Sequence, residues 1–130
     1  MGSTEVGQGY NCALNTQVSV SQCDTLVEFY HSTMGPNWLD SETHQWLKND
    51  RPCDWEGVTC WGNRVVRLEL PANGLSGELP ALGGLVHLQQ IGVFNNPQLS
   101  GPLPDLTALP ELTHVIVFKT GLHGFLPDVA

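Results

Sequence analysis

The chain has 130 residues, a formal net charge of −8 and 41% hydrophobic residues, enough for one modest domain with a real core. Its cations are Lys48, Arg51, Arg64, Arg67 and Lys119 alone, so nucleic acid, which demands a basic face, and an anionic membrane surface are both disfavoured. No stretch reaches the length of a transmembrane helix, and no signal-peptide pattern opens the chain.

Residues 1–20 are polar, glycine-bearing and weakly patterned, and read as an extended N-terminal arm. From Ser21 the period becomes helical. Ser21 or Asp24 serves as the cap, Leu26, Val27, Phe29 and Tyr30 give an apolar stripe, and Met34-Gly35-Pro36 stops it. A second helical turn is expected from Glu42 to Leu47, presenting Trp46 and Leu47 to the same core. Val58 to Cys60 and Val65 to Leu68 then read as a hairpin about Trp61-Gly62-Asn63-Arg64. Residues 21–64 thus form an N-terminal cap of helix and hairpin.

Residues 65–130 carry one pattern three times. Val65 to Pro80, Leu88 to Pro104 and Leu112 to Pro127 share L-x-x-L-x-L-x-x-N-x-L-S-G-x-L-P, with equivalent positions 23 or 24 residues apart. A period of that length means a stack of coils. Alternation in x-Leu-x-Leu-x is that of a strand, so Leu68 and Leu70 point inward while Arg67 and Glu69 point outward. One coil cannot bury its own leucines, whereas stacked coils with parallel strands can. Asn73 and Asn96 follow the strands, where a buried amide can satisfy backbone groups of its own and the neighbouring coil; Thr120 takes that place in the third coil, as a poorer substitute. Gly77, Gly101 and Gly124 supply the turn angles, and the prolines after them suit an outer wall without ladder hydrogen bonds. The extra residue in Asn96-Pro97-Gln98-Leu99 reads as a bulge.

The repeat is a leucine-rich repeat, and its Leu-Ser-Gly-x-Leu-Pro tail, at Leu75 to Pro80 and Leu99 to Pro104, resembles the plant-type subclass. Leu26-Val-Glu-Phe-Tyr30, Gly35-Pro-Asn-Trp38, Trp46-Leu47 and Cys53-x-Trp55-x-Gly57-Val-x-Cys60 are similar to the cysteine-bearing cap of that family, with spellings nearer to bacterial, algal or protist members. The resemblance implies an α/β fold: a right-handed leucine-rich-repeat solenoid with a short parallel sheet on its concave face and an α-helical N-terminal cap. It also implies that Cys53 and Cys60 form the cap disulfide and that Trp55 packs over the first coil. Cys12 and Cys23 bracket the end of the arm, and a crosslink would pin it to the helix. Of the three connectivities, Cys12 with Cys23 and Cys53 with Cys60 is favoured because both are local. Four cysteines and five histidines also admit a zinc site, but paired C-x-x-C spacing is lacking. Disulfides imply an oxidising compartment, secreted or at the cell surface. There is no N-x-Ser/Thr sequon.

No catalytic motif stands out. His31, His44, His87, His114 and His123 fall in unrelated parts of the frame, and Asp54 and Glu56 beside Trp55 read as solvated charges. Neither an active site nor a cofactor is expected. The repeat frame instead predicts outward rows on the sheet: Arg67, Gln90, His114; Glu69, Gly92, Ile116; Pro71, Phe94, Phe118; and Ala72, Asn95, Lys119. Phe94 and Phe118, beside Pro71 and Ile116, would make an apolar strip inside a polar rim, the arrangement of a protein interface. Alternatively the two rings only stabilise the sheet. The resemblance to receptor ectodomains and polygalacturonase-inhibitor-like proteins implies a protein or peptide partner. A glycan stacked on the rings, or a purely structural role, are the other readings. The rows hold no regular array of threonines, which disfavours ice binding. At the end of the chain Val115, Val117, Leu122 and Leu126 are expected to be exposed, at an open edge through which the piece would self-associate.

Overall fold

The structure is a computed structural model that describes residues 10–39 and 44–124. What the sequence leads one to expect of residues 1–9, of Glu42 and of Leu126 and Pro127 therefore lies outside the described residues.

Helix α1 spans Val20–Ser32, with Ser19, rather than Ser21 or Asp24, as its N-cap. Ser19 has the extended backbone that a cap requires, and its hydroxyl accepts from the Gln22 amide at 3.2 Å; Ser21 and Asp24 already lie inside the helix. The helix buries Gln22, Cys23, Leu26 and Phe29 and stops at Thr33, whose hydroxyl donates to the Phe29 carbonyl at 2.7 Å. Met34 then turns left-handed and Pro36 starts a 3₁₀ turn over Gly35–Asn37. The described end of the second expected helical turn is not helical. Gln45 and Leu47 hold φ of 68° and 62°, which an α-helix excludes. Trp46 is nevertheless buried there and Leu47 packs against the core.

The cap core is aromatic. Trp38, Trp46 and Trp55 are each 2% exposed or less, and Trp46 lies 5.1 Å from Trp55 and 5.2 Å from Trp38 between ring centroids. Each buried indole N–H has a partner: Trp38 donates to the Thr33 carbonyl, Trp46 to the Glu56 carbonyl and Trp55 to the Asn49 side chain. The arm joins this core from Tyr10 onward. Tyr10 packs edge-on to Trp55 and donates to the Asn49 carbonyl at 2.8 Å, and disulfide Cys12–Cys23 ties the 3₁₀ turn Cys12–Leu14 to α1. The second disulfide, Cys53–Cys60, links the 3₁₀ turn Pro52–Asp54 to strand β1, Val58–Trp61.

Strand β1 pairs antiparallel with β2, Arg64–Glu69, and β2 opens a run of parallel strands. β4, Gln90–Gly92, and β6, His114–Ile116, follow it, giving a four-stranded sheet in the order β1-β2-β4-β6. The register places Arg67, Gln90 and His114 side by side, then Leu68, Ile91 and Val115, then Glu69, Gly92 and Ile116. Leu68, Leu70, Ile91 and Val93 are buried behind the sheet. Val115, Val117 and Leu122 are half-buried and pack against the same core rather than standing exposed.

A second sheet forms where the sequence suggested only turns. β3, Ser76–Gly77, β5, Asn96–Pro102, and β7, Thr120–His123, pair in parallel in that order. The Leu-Ser-Gly segments therefore carry ladder bonds, while Pro80 and Pro104 just beyond them stand outside any strand. The register of β5 against β7 is irregular between Asn96 and Ser100, at the residues that hold the extra insertion.

Candidate functional site

The outward face of the four-stranded sheet is built by repetition. Past the strands the coil-to-coil bonds continue: Leu70 donates to the Gly92 carbonyl, Val93 to Ile116, Ala72 to Phe94 and Asn95 to Phe118, at 2.9 to 3.1 Å. These bonds hold the third row in line. Ala72, Asn95 and Lys119 then share a left-handed backbone, with φ of 50°, 60° and 59°, so each coil leaves the sheet at the same angle.

Register and turn together bring Phe94 and Phe118 into a stack, with centroids 4.8 Å apart and planes 23° from parallel. Phe118 is 55% exposed and Phe94 half-buried. Phe94 also leans over Gly92, where an added Cβ would meet Cε1 of its ring at 3.7 Å. Pro71 is exposed and Ile116 half-buried beside them. Of the polar rim, Arg67, Asn95, His114 and Lys119 are exposed, while Glu69 and Gln90 are half-buried and joined by a hydrogen bond from the Gln90 amide to the Glu69 carboxylate. His114 shares a 2.9 Å hydrogen bond with the Thr113 hydroxyl. The outward residues named from the sequence thus lie on one surface, with the aromatic pair at the C-terminal ends of the strands.

Beneath that surface the asparagines divide their work unequally. Asn96 is fully buried; its amide donates to the carbonyls of Leu70, Val93 and Phe94, and its oxygen accepts from the amides of Asn73 and Leu75. Asn73 is 3% exposed, and its side-chain oxygen is buried with no partner among the described residues. The Thr120 hydroxyl bonds only within its own coil among the described residues, donating to the Val117 carbonyl at 2.7 Å and accepting from the Leu122 amide at 3.2 Å.

Sequence reasoning passed over one exposed aromatic. Trp61 is 72% exposed at the tip of the β1–β2 hairpin, beside a groove of about 460 Å³ that Thr59, Cys60, Val66, Arg67 and Gln89 complete. The signal was present: Cys60 points inward to its disulfide, so its neighbour in the strand points out. Asp54 forms an ion pair with Arg51 at 2.7 Å. Among the described residues no group of three His, Cys, Asp or Glu stands close enough to hold a metal.

A cap of one helix and two disulfides, followed by coils that pair L-x-x-L-x-L strands in register, is an arrangement similar to that of plant leucine-rich-repeat ectodomains. Its relatives include plant receptor kinases, and its neighbours among solved structures include receptor ectodomains. No family model matches the chain. It is 34% identical over 87 residues to pollen receptor-like kinase 1 of Arabidopsis thaliana, covering 65% of this chain and 13% of the kinase. It is also 34% identical over 108 residues to the serine/threonine-protein kinase BRI1-like 2 of the same plant, covering 81% of this chain and 9% of the kinase. The chain therefore spans about a tenth of the length of these relatives.

Among solved structures, a plant ice-binding protein superposes with a TM-score of 0.70 at 26% identity, over 86% of this chain and 36% of that one. The BIR2 ectodomain of A. thaliana gives 0.62 at 30% identity, over 86% and 60%. A chain of the BIR3–SERK2 complex from the same plant gives 0.63 at 26%, over 84% and 60%. Receptor ectodomain relatives and two disulfides point to an extracellular or cell-surface location. No helix among the described residues is long and apolar enough to cross a membrane.

Proposed function

We propose that the chain is a non-enzymatic extracellular recognition module: a cap over residues 21–64 and a right-handed solenoid over residues 65–130 whose sheet lines the concave face and binds a protein or peptide. The observation that carries this reading is the Phe94–Phe118 stack, standing on an outward face among Pro71, Ile116, Arg67, Gln90, Asn95, His114 and Lys119. A pair kept only to stabilise the sheet has no need to leave one ring 55% exposed. Aromatic anchors inside a polar rim concentrate binding energy, about 2 kcal/mol or more for each true hot spot. The complex between BIR3 and SERK2 joins two proteins, one of them similar in fold to this chain, and agrees with a protein partner.

A glycan is the second reading, with the same two rings as its platform. Ice binding, the property named for the plant neighbour, is not favoured, since the rows read Arg67, Gln90, His114 and Pro71, Phe94, Phe118 rather than threonine.

The test screens the wild-type chain and the double variant F94S/F118S side by side against displayed peptides and a glycan array. The proposal expects selective peptide binding by the wild type, lost in the variant by roughly thirtyfold or more, with an unchanged circular dichroism spectrum. Binding to glycans alone favours the second reading. Peptide binding that survives both substitutions places the site elsewhere.

A further inference from the structure

Three of the four tryptophans are buried and hydrogen-bonded in the cap core, and Trp61 alone presents its ring to solvent. Neither a disulfide nor the aromatic core needs an indole there. The hairpin register sets Trp61 opposite Arg64 and Thr59 opposite Arg67, so one wall of its groove is Arg67, the first residue of the row that continues to Gln90 and His114. The groove is therefore continuous with the face that bears the phenylalanine stack.

Charge is distributed unevenly. The chain as a whole carries −8, yet the strands of this sheet and the turns after them hold Arg64, Arg67 and Lys119 against Glu69 alone, whose carboxylate already accepts from Gln90. Arg64 and Arg67 form no ion pair among the described residues. A cationic face on an acidic protein selects an acidic partner, while the net charge of −8 on each chain opposes self-association.

We infer that Trp61 is a second anchor of the recognition face, and that the partner is an extended, acidic segment of polypeptide held by Trp61 at one end and by Phe94 and Phe118 at the other. From Arg64 along β2 and on to Pro71 is about 23 Å at about 3.3 Å per residue, the reach of some seven residues of extended chain. Carboxylates along the segment meet Arg64 beside Trp61, Arg67 between the anchors and Lys119 beside Phe118, and apolar side chains near its ends meet the rings. The inference rests on the proposed peptide-binding role and adds to it the charge, length and second anchor of the ligand.

The test selects peptides of about ten residues from a random displayed library on the full wild-type chain, then measures the enriched peptides against Trp61→Ser, Arg64→Glu/Arg67→Glu and Phe94→Ser/Phe118→Ser. Enriched peptides are expected to be net acidic with apolar residues near both ends, to weaken with rising salt, and to lose roughly tenfold or more on each variant. Trp61 is exposed, so its replacement is expected to leave the circular dichroism spectrum unchanged. Neutral or basic peptides, or acidic ones indifferent to Trp61→Ser and to the charge reversal, overturn the inference. If those same peptides still fail on the phenylalanine variant, the binding role stands and only the second anchor and the charge preference fall. A selection that enriches nothing, or peptides that ignore all three variants, overturns both.

Discussion

The side-chain oxygen of Asn96 accepts the backbone N–H of Asn73, one coil earlier, at 2.9 Å. With four further bonds, Asn96 fastens three carbonyls and two amides at the place where the chain leaves the sheet. The turn it fixes is the one that sets Phe94 outward, so the proposed binding face depends on a fully buried residue.

Asn96→Ala should therefore strip partners from several buried backbone groups and cost about 3 kcal/mol, since each unsatisfied group costs about 1 to 3 kcal/mol. Thr120→Ala, which loses bonds within one coil only, should cost about 1 kcal/mol. Urea denaturation of the two variants checks the order; equal losses would mean that the ladder of amides does not hold the coils together.

Gly77 packs the first coil against the end of α1. Its φ is +85°, and a Cβ there would sit 2.5 Å from the Ser32 carbonyl oxygen. Gly77→Ala should cost about 2 kcal/mol or more. Gly62, at φ +63° with nothing within 4 Å, should lose only about 1 kcal/mol on the same change. Thermal melts of the pair separate backbone strain from steric exclusion.

The two tyrosines report on the cap. Burial, and then the nearby Asp50 carboxylate, raises the Tyr10 phenol above its ordinary value, and burial raises Tyr30. An unfolded phenol ionises at the ordinary value, so this contribution to stability is complete below that value and is lost as pH rises through the higher folded one. Absorbance at the phenolate band should show both residues ionising later than free tyrosine, and Tyr10→Phe should remove one step. A titration at the ordinary value would mean that Tyr10 does not dock against Trp55.

Removing the crosslink between Cys12 and Cys23 with a C12S/C23S variant should free the arm. The loop is short, and the chain-entropy estimate gives about 3 kcal/mol. Backbone amide exchange should rise over residues 10–19 and at the start of α1 while the repeat strands stay protected; uniform loss of protection would mean that cap and coils unfold as one.

Much of this arrangement is legible in the sequence because it repeats. An aliphatic residue at every equivalent inward position, Leu68, Ile91 and Val115 or Leu70, Val93 and Val117, fixes both the inward face and the register, and the outward rows follow from alternation: Arg67 beside Gln90 and His114 needs nothing more. What escapes has no such mark. Left-handed Gln45 and Leu47 look like ordinary helix residues, so the turn that buries Trp46 reads as helix. Ser19 and Ser21 are equally good caps by type, and only the disulfide-tied arm decides where α1 begins. The second sheet pairs short Leu-Ser-Gly segments that contain no alternation to read. Trp61 reads from the sequence only as part of a hairpin turn, whereas its place one residue past Cys60 turns its ring to solvent.

The most direct test of the central claim is a chemical-shift map, with labelled wild-type chain titrated by the tightest peptide from the selection. The account predicts that perturbed signals gather on Arg67, Gln90, Phe94, His114 and Phe118, with α1 and the 3₁₀ turn Leu106–Ala108 unmoved. Perturbations gathered on α1 or on that turn, with Phe94 and Phe118 silent, would contradict it.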